Sequence, residues 1–247
     1  MKVAVVIPAR YASTRLPAKP LALIKGKPLL QWVIEGARKS PKISAVVVAT
    51  DHLEIMELAK RCGAEAVMTD PDCPTGSDRI FQAIQSLEQQ NQLFDIVINV
   101  QGDEPLISEV EVDLVLEALL EDSEAMMSTL GHPLKTEDLE NKNSVKVLMN
   151  QNSDAIYFSR FPIPFSRQQF IENQCDHFIL KHVGIYGFRT KFLKQFCQHP
   201  VTDLEKNESL EQLRALFMGK KIKVKKMNRV LQGVDSPEDI VKVERLL

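Results

Sequence analysis

Five consecutive apolar residues, Val3 to Ile7, stand near the start of the chain and end at Pro8. A continuous run of this kind predicts a strand covered on both faces. "PLLQWVIEGARK" follows as a helix, with Pro28 suited to its first turn and Leu29, Leu30, Val33 and Ala37 on one face. "AVVVAT" is a second buried strand ending at Asp51, and "LEIMELAKRC" a helix stopped by Gly63. Ser77 is placed to cap "DRIFQAIQSLEQQ", and "FDIVINV" is a third strong strand leading into "QGDEP". Ser108 and Glu111 form a capping-box pattern ahead of Val112, Val115, Leu116 and Leu119.

This order predicts an α/β fold: a mostly parallel central sheet with helices on both faces, joined by right-handed crossovers. In such sheets ligands bind at the carboxyl ends of the strands. After about residue 125 the pattern shortens to "MMSTL", "VKVLM" and "AIYFSR", with "NQNSD" as a turn. "RFPIPFSRQ", with two prolines, is a loop or an edge. "HVGIYGF" returns to strand, helices follow around "TKFLKQF" and "LEQLRALFM", and Ser236-Pro237 starts a last helix. The chain reads as a single domain over 1–247, with a strand-rich inserted sub-lobe at about 125–190.

The 247 residues are 44% hydrophobic and 26% charged, ordinary values for a globular protein. A net charge of -2 argues against a nucleic-acid protein held by a basic surface. The basic run "KKIKVKKMNR" is simplest as an edge strand whose lysines block edge pairing. Cys62, Cys73, Cys175 and Cys197 lie far apart without metal-ligand spacing, as reduced cytosolic thiols do. The first apolar run is too short for a signal peptide, and no apolar run reaches 18 residues. The expectation is a cytoplasmic protein with no membrane insertion.

Candidate chemistry begins in the loop after the first strand, "IPARYASTRLPAKP", which carries Arg10, Arg15 and Lys19. Loops that cradle phosphates usually use glycine, and none occurs before Gly26. "IKGKP" fails as a P-loop because Pro28 stands where Ser or Thr is needed, and no GxGxxG follows a strand. Asp103, directly after a buried strand, and Asp235 in "GVDSPED" are acids at strand-to-helix junctions. With the three cations they form a phosphate-and-metal constellation suited to Mg²⁺, which takes one or two protein carboxylates. His182 and Tyr186, four apart, fall on one face of a strand. Glu211 and Gln212 lie beside the buried stripe of Leu210 and Leu213. Taken singly, each of these four is more often structural.

"IPARYASTRLPAKPL", "VATDH", "GSDRI", "NVQGDEP", "AIYFSR", "HVGIYGF", "LEQLRAL" and "GVDSPEDI" resemble, in order and spacing, the 3-deoxy-manno-octulosonate (Kdo) cytidylyltransferases over essentially the whole chain. The resemblance implies a Rossmann-like nucleotidyltransferase fold and transfer of CMP from CTP to the anomeric hydroxyl of Kdo, releasing pyrophosphate, for lipopolysaccharide synthesis. It implies that Arg10, Arg15 and Lys19 hold the triphosphate, that Gly76 and Arg79 line the nucleotide site, and that Asp103 and Asp235 bind catalytic Mg²⁺. Gln101, Arg160, His182, Tyr186, Glu211 and Gln212 would face the sugar acid. A homodimer is implied too, with the surface around "RFPIPFSRQ", although Phe161, Ile163 and Phe165 read equally as core.

The alternatives are a modified acceptor such as 8-amino-Kdo, a metal-dependent glycosyltransferase, or a non-catalytic CTP-binding protein. Two segments depart from the family's usual pattern. Ala18 stands in place of Gly and is expected at negative φ. "GSDRI" stands in place of Gly-Thr-Glu-Arg.

Overall fold

A computed structural model describes residues 1–12, 16–165, 167 and 175–247. The chain divides into two compact units, Met1–Asp113 with Leu231–Leu247, and Leu114–Val230. The first unit is built on β1 (Val3–Ala9), short β2 (Leu23–Ile24) and β3 (Lys27–Pro28), β4 (Ala45–Thr50), β5 (Glu65–Met68) and β6 (Ile96–Asn99). Four of these form a parallel sheet in the order β6–β1–β4–β5, while β2 and β3 make a separate antiparallel ribbon. Val3 to Ile7 are all fully buried, as are most of β4 and β6. The unbroken apolar runs are therefore strands covered on both faces, and the expectation of a mostly parallel sheet holds.

Helices α1 (Leu29–Arg38), α2 (Leu53–Arg61) and α3 (Gly76–Gln89) cover this sheet, and α4 (Glu109–Glu121) carries the chain from the first unit into the second. Pro28 sits one position ahead of α1, as its N-cap. Gly63 ends α2 at φ +73, where a side chain would be strained. At α4 the Glu111 carboxylate accepts from the Ser108 backbone N–H at 2.9 Å, the capping box read from the sequence. The cap of α3 differs: Thr75, two residues earlier, accepts from the Asp78 backbone N–H, and Ser77 lies inside the helix. Strand β1 has β4 on one side and β6, the later strand, on the other. The loops after β1 and β6 thus flank the point where strand order reverses, where open α/β sheets hold ligands.

The second unit holds β7 (Ala125–His132), α5 (Thr136–Leu139), β8 (Lys146–Met149), β9 (Ala155–Ser159), β10 (Ile179–Arg189), α6 (Thr190–Gln198), α7 (Asp203–Glu208), α8 (Gln212–Phe217) and β11 (Lys221–Lys226). Its strands run β11–β7–β10–β8–β9, antiparallel except for β11 on β7. The basic run is thus a strand whose lysines pair with acids: Lys221 and Lys223 with Asp122, and Lys225 with Glu121. The last helix, α9 (Pro237–Leu246), returns to the first unit behind a Ser236–Asp239 capping box.

One buried lysine organises the second unit. Lys146 is fully buried, and its ammonium donates to the carbonyls of Asn141, Ser144 and Arg160 at 3.2, 2.8 and 2.7 Å. Burial pulls its pKa below the ordinary lysine value. With a longer contact to the Asp138 carbonyl at 3.5 Å, these three close carbonyls satisfy the three N–H donors and tie the segment after α5 to the end of β9. No helix among the described residues is long and apolar enough to cross a membrane, and all four cysteines are free.

Candidate active site

A cleft of about 320 Å³ opens in the first unit at the carboxyl ends of its strands. Arg10, Lys19, Gly76, Arg79, Gln101, Asp103 and Asp235 all line it. Seven of the thirteen residues singled out in the sequence thus share one cavity. Arg15 lies outside the described residues, as does part of the loop that carries it.

At its centre the Lys19 Nζ donates to Asp103 Oδ2 at 2.7 Å, to Asp235 Oδ1 at 3.1 Å and to the Val234 carbonyl at 3.0 Å. Burial opposes the charge on Lys19, yet the pull of the two carboxylates outweighs it and its pKa is raised. The two acids, far apart in sequence, converge on one cation position. Gly102 helps to bring Asp103 there, since a Cβ at that residue would stand 2.8 Å from the Pro8 carbonyl oxygen. Two carboxylates within reach of one cation suit a divalent magnesium ion, which takes one or two carboxylates and leaves its remaining positions to water and phosphate.

Ala18 shapes the approach of Lys19 and corrects one expectation. It lies at φ 51, ψ 36, in the left-handed region and not at negative φ, and it opens the short 3₁₀ turn Lys19–Leu21. For a residue with a Cβ that conformation costs on the order of 1 kcal/mol. Backbone strain is tolerated where the surrounding structure fixes it, and here it begins the turn that aims Lys19 at the acids.

Next to Asp103, Glu104 has a buried Oε2 with no hydrogen-bond partner. Burial, reinforced by the charges of Asp103 and Asp235, pushes its pKa up to about 8. On the far wall Arg79 is almost fully buried and donates to Thr69 Oγ1 at 2.6 Å and to Asp51 Oδ2 at 3.1 Å. The other Asp51 oxygen accepts from the Tyr11 backbone N–H at 2.9 Å. Asp51 therefore couples the first loop to Arg79. Its position at the end of a buried strand was the signal for this role, which sequence reading did not assign. The N-terminus of α3 also opens on the cleft, directing the positive end of its dipole there.

The remaining sequence candidates belong to the second unit. His182 and Tyr186 do share a face of β10, but a regular strand would set them about 13 Å apart. The register instead runs His182↔Gly131, Val183↔Leu130, Tyr186↔Thr129, so two extra residues bulge out of β10 between Val183 and Tyr186. An even insertion keeps both side chains on one face and halves their separation along the partner strand. Their ring centroids lie 5.4 Å apart. Gly184 within the strand pattern was the readable sign of that bulge.

The Tyr186 phenol donates to Gln212 Oε1 at 3.2 Å, and Gln212 Nε2, buried, has no partner. Burial drives the His182 imidazole down to about 3, and burial with the nearby charge of Glu211 raises Tyr186. The Arg160 guanidinium donates to the backbone carbonyls of Glu208, Lys142 and Ser209, and its charge partly offsets that of Glu211 at Tyr186.

Comparison with known proteins completes the picture. Residues 4–222 match the family described as "Cytidylyltransferase". The chain is 49% identical over 247 residues to the 3-deoxy-manno-octulosonate cytidylyltransferase of Bdellovibrio bacteriovorus, covering 100% of this chain and 98% of that protein. It is 44% identical to the enzyme of the same name from Thermodesulfovibrio yellowstonii, covering 98% of this chain and 96% of the relative. A solved CMP:2-keto-3-deoxy-manno-octonic acid synthetase, complexed with CTP, superposes with a TM-score of 0.90 at 38% identity, over 100% of this chain and 98% of that one. A cytidylyltransferase from Leptospira borgpetersenii, at 18% identity and a TM-score of 0.64 over 99% of this chain and 85% of the other, shares the fold. The chain belongs to the 3-deoxy-manno-octulosonate cytidylyltransferase family of nucleotidyltransferases.

Proposed function

We propose that this protein transfers CMP from CTP to the anomeric hydroxyl of 3-deoxy-manno-octulosonate, giving CMP-Kdo and pyrophosphate for lipopolysaccharide synthesis in the cytoplasm. The observation that carries this reading is the convergence of Asp103, Asp235 and Lys19 in the cleft of a chain with these relatives. The hydroxyl oxygen attacks the α-phosphorus, the bond from that phosphorus to the pyrophosphate oxygen breaks, and the hydroxyl proton passes to solvent. Both substrates are anions, so positioning and charge neutralisation supply most of the catalysis.

Arg10, and Arg15 by the resemblance, fork onto phosphate oxygens, while Lys19 contributes a point charge. Gly76 and the pinned Arg79 line the nucleotide site. Asp103 and Asp235 would hold magnesium, which when bound neutralises phosphate charge and lowers the pKa of the attacking hydroxyl. Gln101, which lines the cleft, is assigned to the sugar acid together with Arg160, His182, Tyr186, Glu211 and Gln212 of the second unit. The homodimer reading is supported by Phe161 and Phe165, 69% and 89% exposed on the loop after β9, and light scattering on the purified protein tests it.

Pyrophosphate release is measured with CTP and Mg²⁺ against Kdo, 8-amino-Kdo, sialic acid and no acceptor. Release that requires Kdo supports the reading, and release that requires the amino analogue moves the acceptor to that compound. CTP binding without turnover on any acceptor would overturn it in favour of a binding protein.

A further inference from the structure

The bulge in β10 is closed by one side chain of the neighbouring strand. Thr129, fully buried on β7, places its Oγ1 2.8 Å from the Ile185 carbonyl oxygen, 3.1 Å from the Val183 carbonyl oxygen and 2.9 Å from His182 Nε2. A hydroxyl has one hydrogen and two lone pairs. Both carbonyls are acceptors only, so the Thr129 hydrogen is committed to them. The hydrogen between Oγ1 and the imidazole must then come from histidine.

We infer that Thr129 is a positioning residue that locks His182 in its Nε2–H form, so that Nδ1 offers a lone pair to a hydroxyl of the sugar acid. Nδ1 has no partner among the described residues. A second group points to the same ligand chemistry: Gln212 Nε2 is a buried donor without a partner, on a side chain whose Oε1 already accepts from Tyr186. An acceptor and a donor, both uncharged, match hydroxyls, which can give and receive a hydrogen bond. They do not match a carboxylate, whose oxygens would meet the Nδ1 lone pair. His182 stays neutral because burial disfavours its cationic form. This patch accordingly reads the polyol part of the acceptor and leaves the carboxylate to other residues. The identity of the ligand rests on the function proposed above; the tautomer does not.

The test is ¹⁵N NMR of histidine-labelled protein at neutral pH, with no substrate required. The wild type is expected to show His182 as the Nε2–H form with a pyridine-like Nδ1. Thr129→Ser keeps the hydroxyl and is expected to keep that form. Thr129→Val removes the fixed acceptor and is expected to lose it, with KM for the sugar acid raised about fivefold to tenfold, the size of one lost hydrogen bond, and KM for CTP unchanged. A wild-type His182 protonated on Nδ1 would overturn the inference, as would an unaltered tautomer in a folded Thr129→Val. If that variant does not fold, the wild-type and Thr129→Ser spectra decide. Protein with no turnover on Kdo but the expected tautomer would count against the proposed function and not against the lock.

Discussion

The first-unit cleft and the second-unit cluster solve opposite problems with similar numbers of polar residues. In the cleft, charge is kept: Lys19 remains a cation because Asp103 and Asp235 face it, and Arg79 is held by Asp51. In the cluster, charge is suppressed: His182 is held neutral, Tyr186 stays protonated, and threonine and glutamine supply the contacts. A triphosphate needs the first kind of surface, because fixed charges in a partly dry cleft act strongly on other charges. A polyhydroxy acceptor is read better by the second, because neutral donors and acceptors at fixed angles discriminate by geometry.

The contrast can be broken most sharply at Asp235. Asp235→Asn is expected to lower turnover at least ~100-fold with an intact circular dichroism spectrum, since a positioned charge is lost. Near-normal turnover with normal Mg²⁺ dependence would show that the two acids do not work together.

Tyr186→Phe should act on the other region, raising KM for the sugar acid about fivefold and leaving KM for CTP alone. Equal changes in both constants would show that the two regions do not serve different substrates.

Glu104 tests how far the cleft's charge reaches into its neighbours. Its folded pKa of about 8 lies above the unfolded value of 4.5, so its contribution to stability is full below about pH 4.5 and is lost as pH rises through 8. With a chelator present, denaturant titrations between pH 5 and pH 8 should show a decline of at most about 1.4 kcal/mol per pH unit from this group. Glu104→Gln should flatten it, and an unchanged slope would place the carboxyl's proton elsewhere.

The smallest effect is expected at Ala18. Glycine there relieves the left-handed strain but adds freedom to the unfolded chain, for a net gain of about 0.5 kcal/mol in urea melts. A loss of stability would mean the methyl group has a packing role.

What the sequence disclosed follows from how local each signal is. Buried strands β1, β4 and β6, and the caps at Ser108 and Ser236, are written in short windows of hydrophobicity or hydrogen-bonding side chains. Helix α7 was not foreseen because "DLEKNE" has no apolar period; its start is marked by Thr202 and Glu205, which form a capping box. Strand β5 has four residues, half of them exposed, too few to read. At the sites, residue types revealed which groups were candidates, but not their partners. The pairing of Lys19 with both acids needs a left-handed Ala18 and the return of α9, and the closeness of His182 to Tyr186 needs a bulge. Those are consequences of tertiary closure, and no window of sequence contains them.

Lys146 has a consequence of a different kind. Three converging backbone carbonyls are the sort of pocket that oxygen-loving monovalent ions occupy, and here the occupant is covalently attached to the chain. Its occupancy is fixed at one per molecule, independent of the salt around it. The cation that ties Arg160's carbonyl to the segment after α5 therefore cannot be dialysed away or exchanged for sodium or potassium.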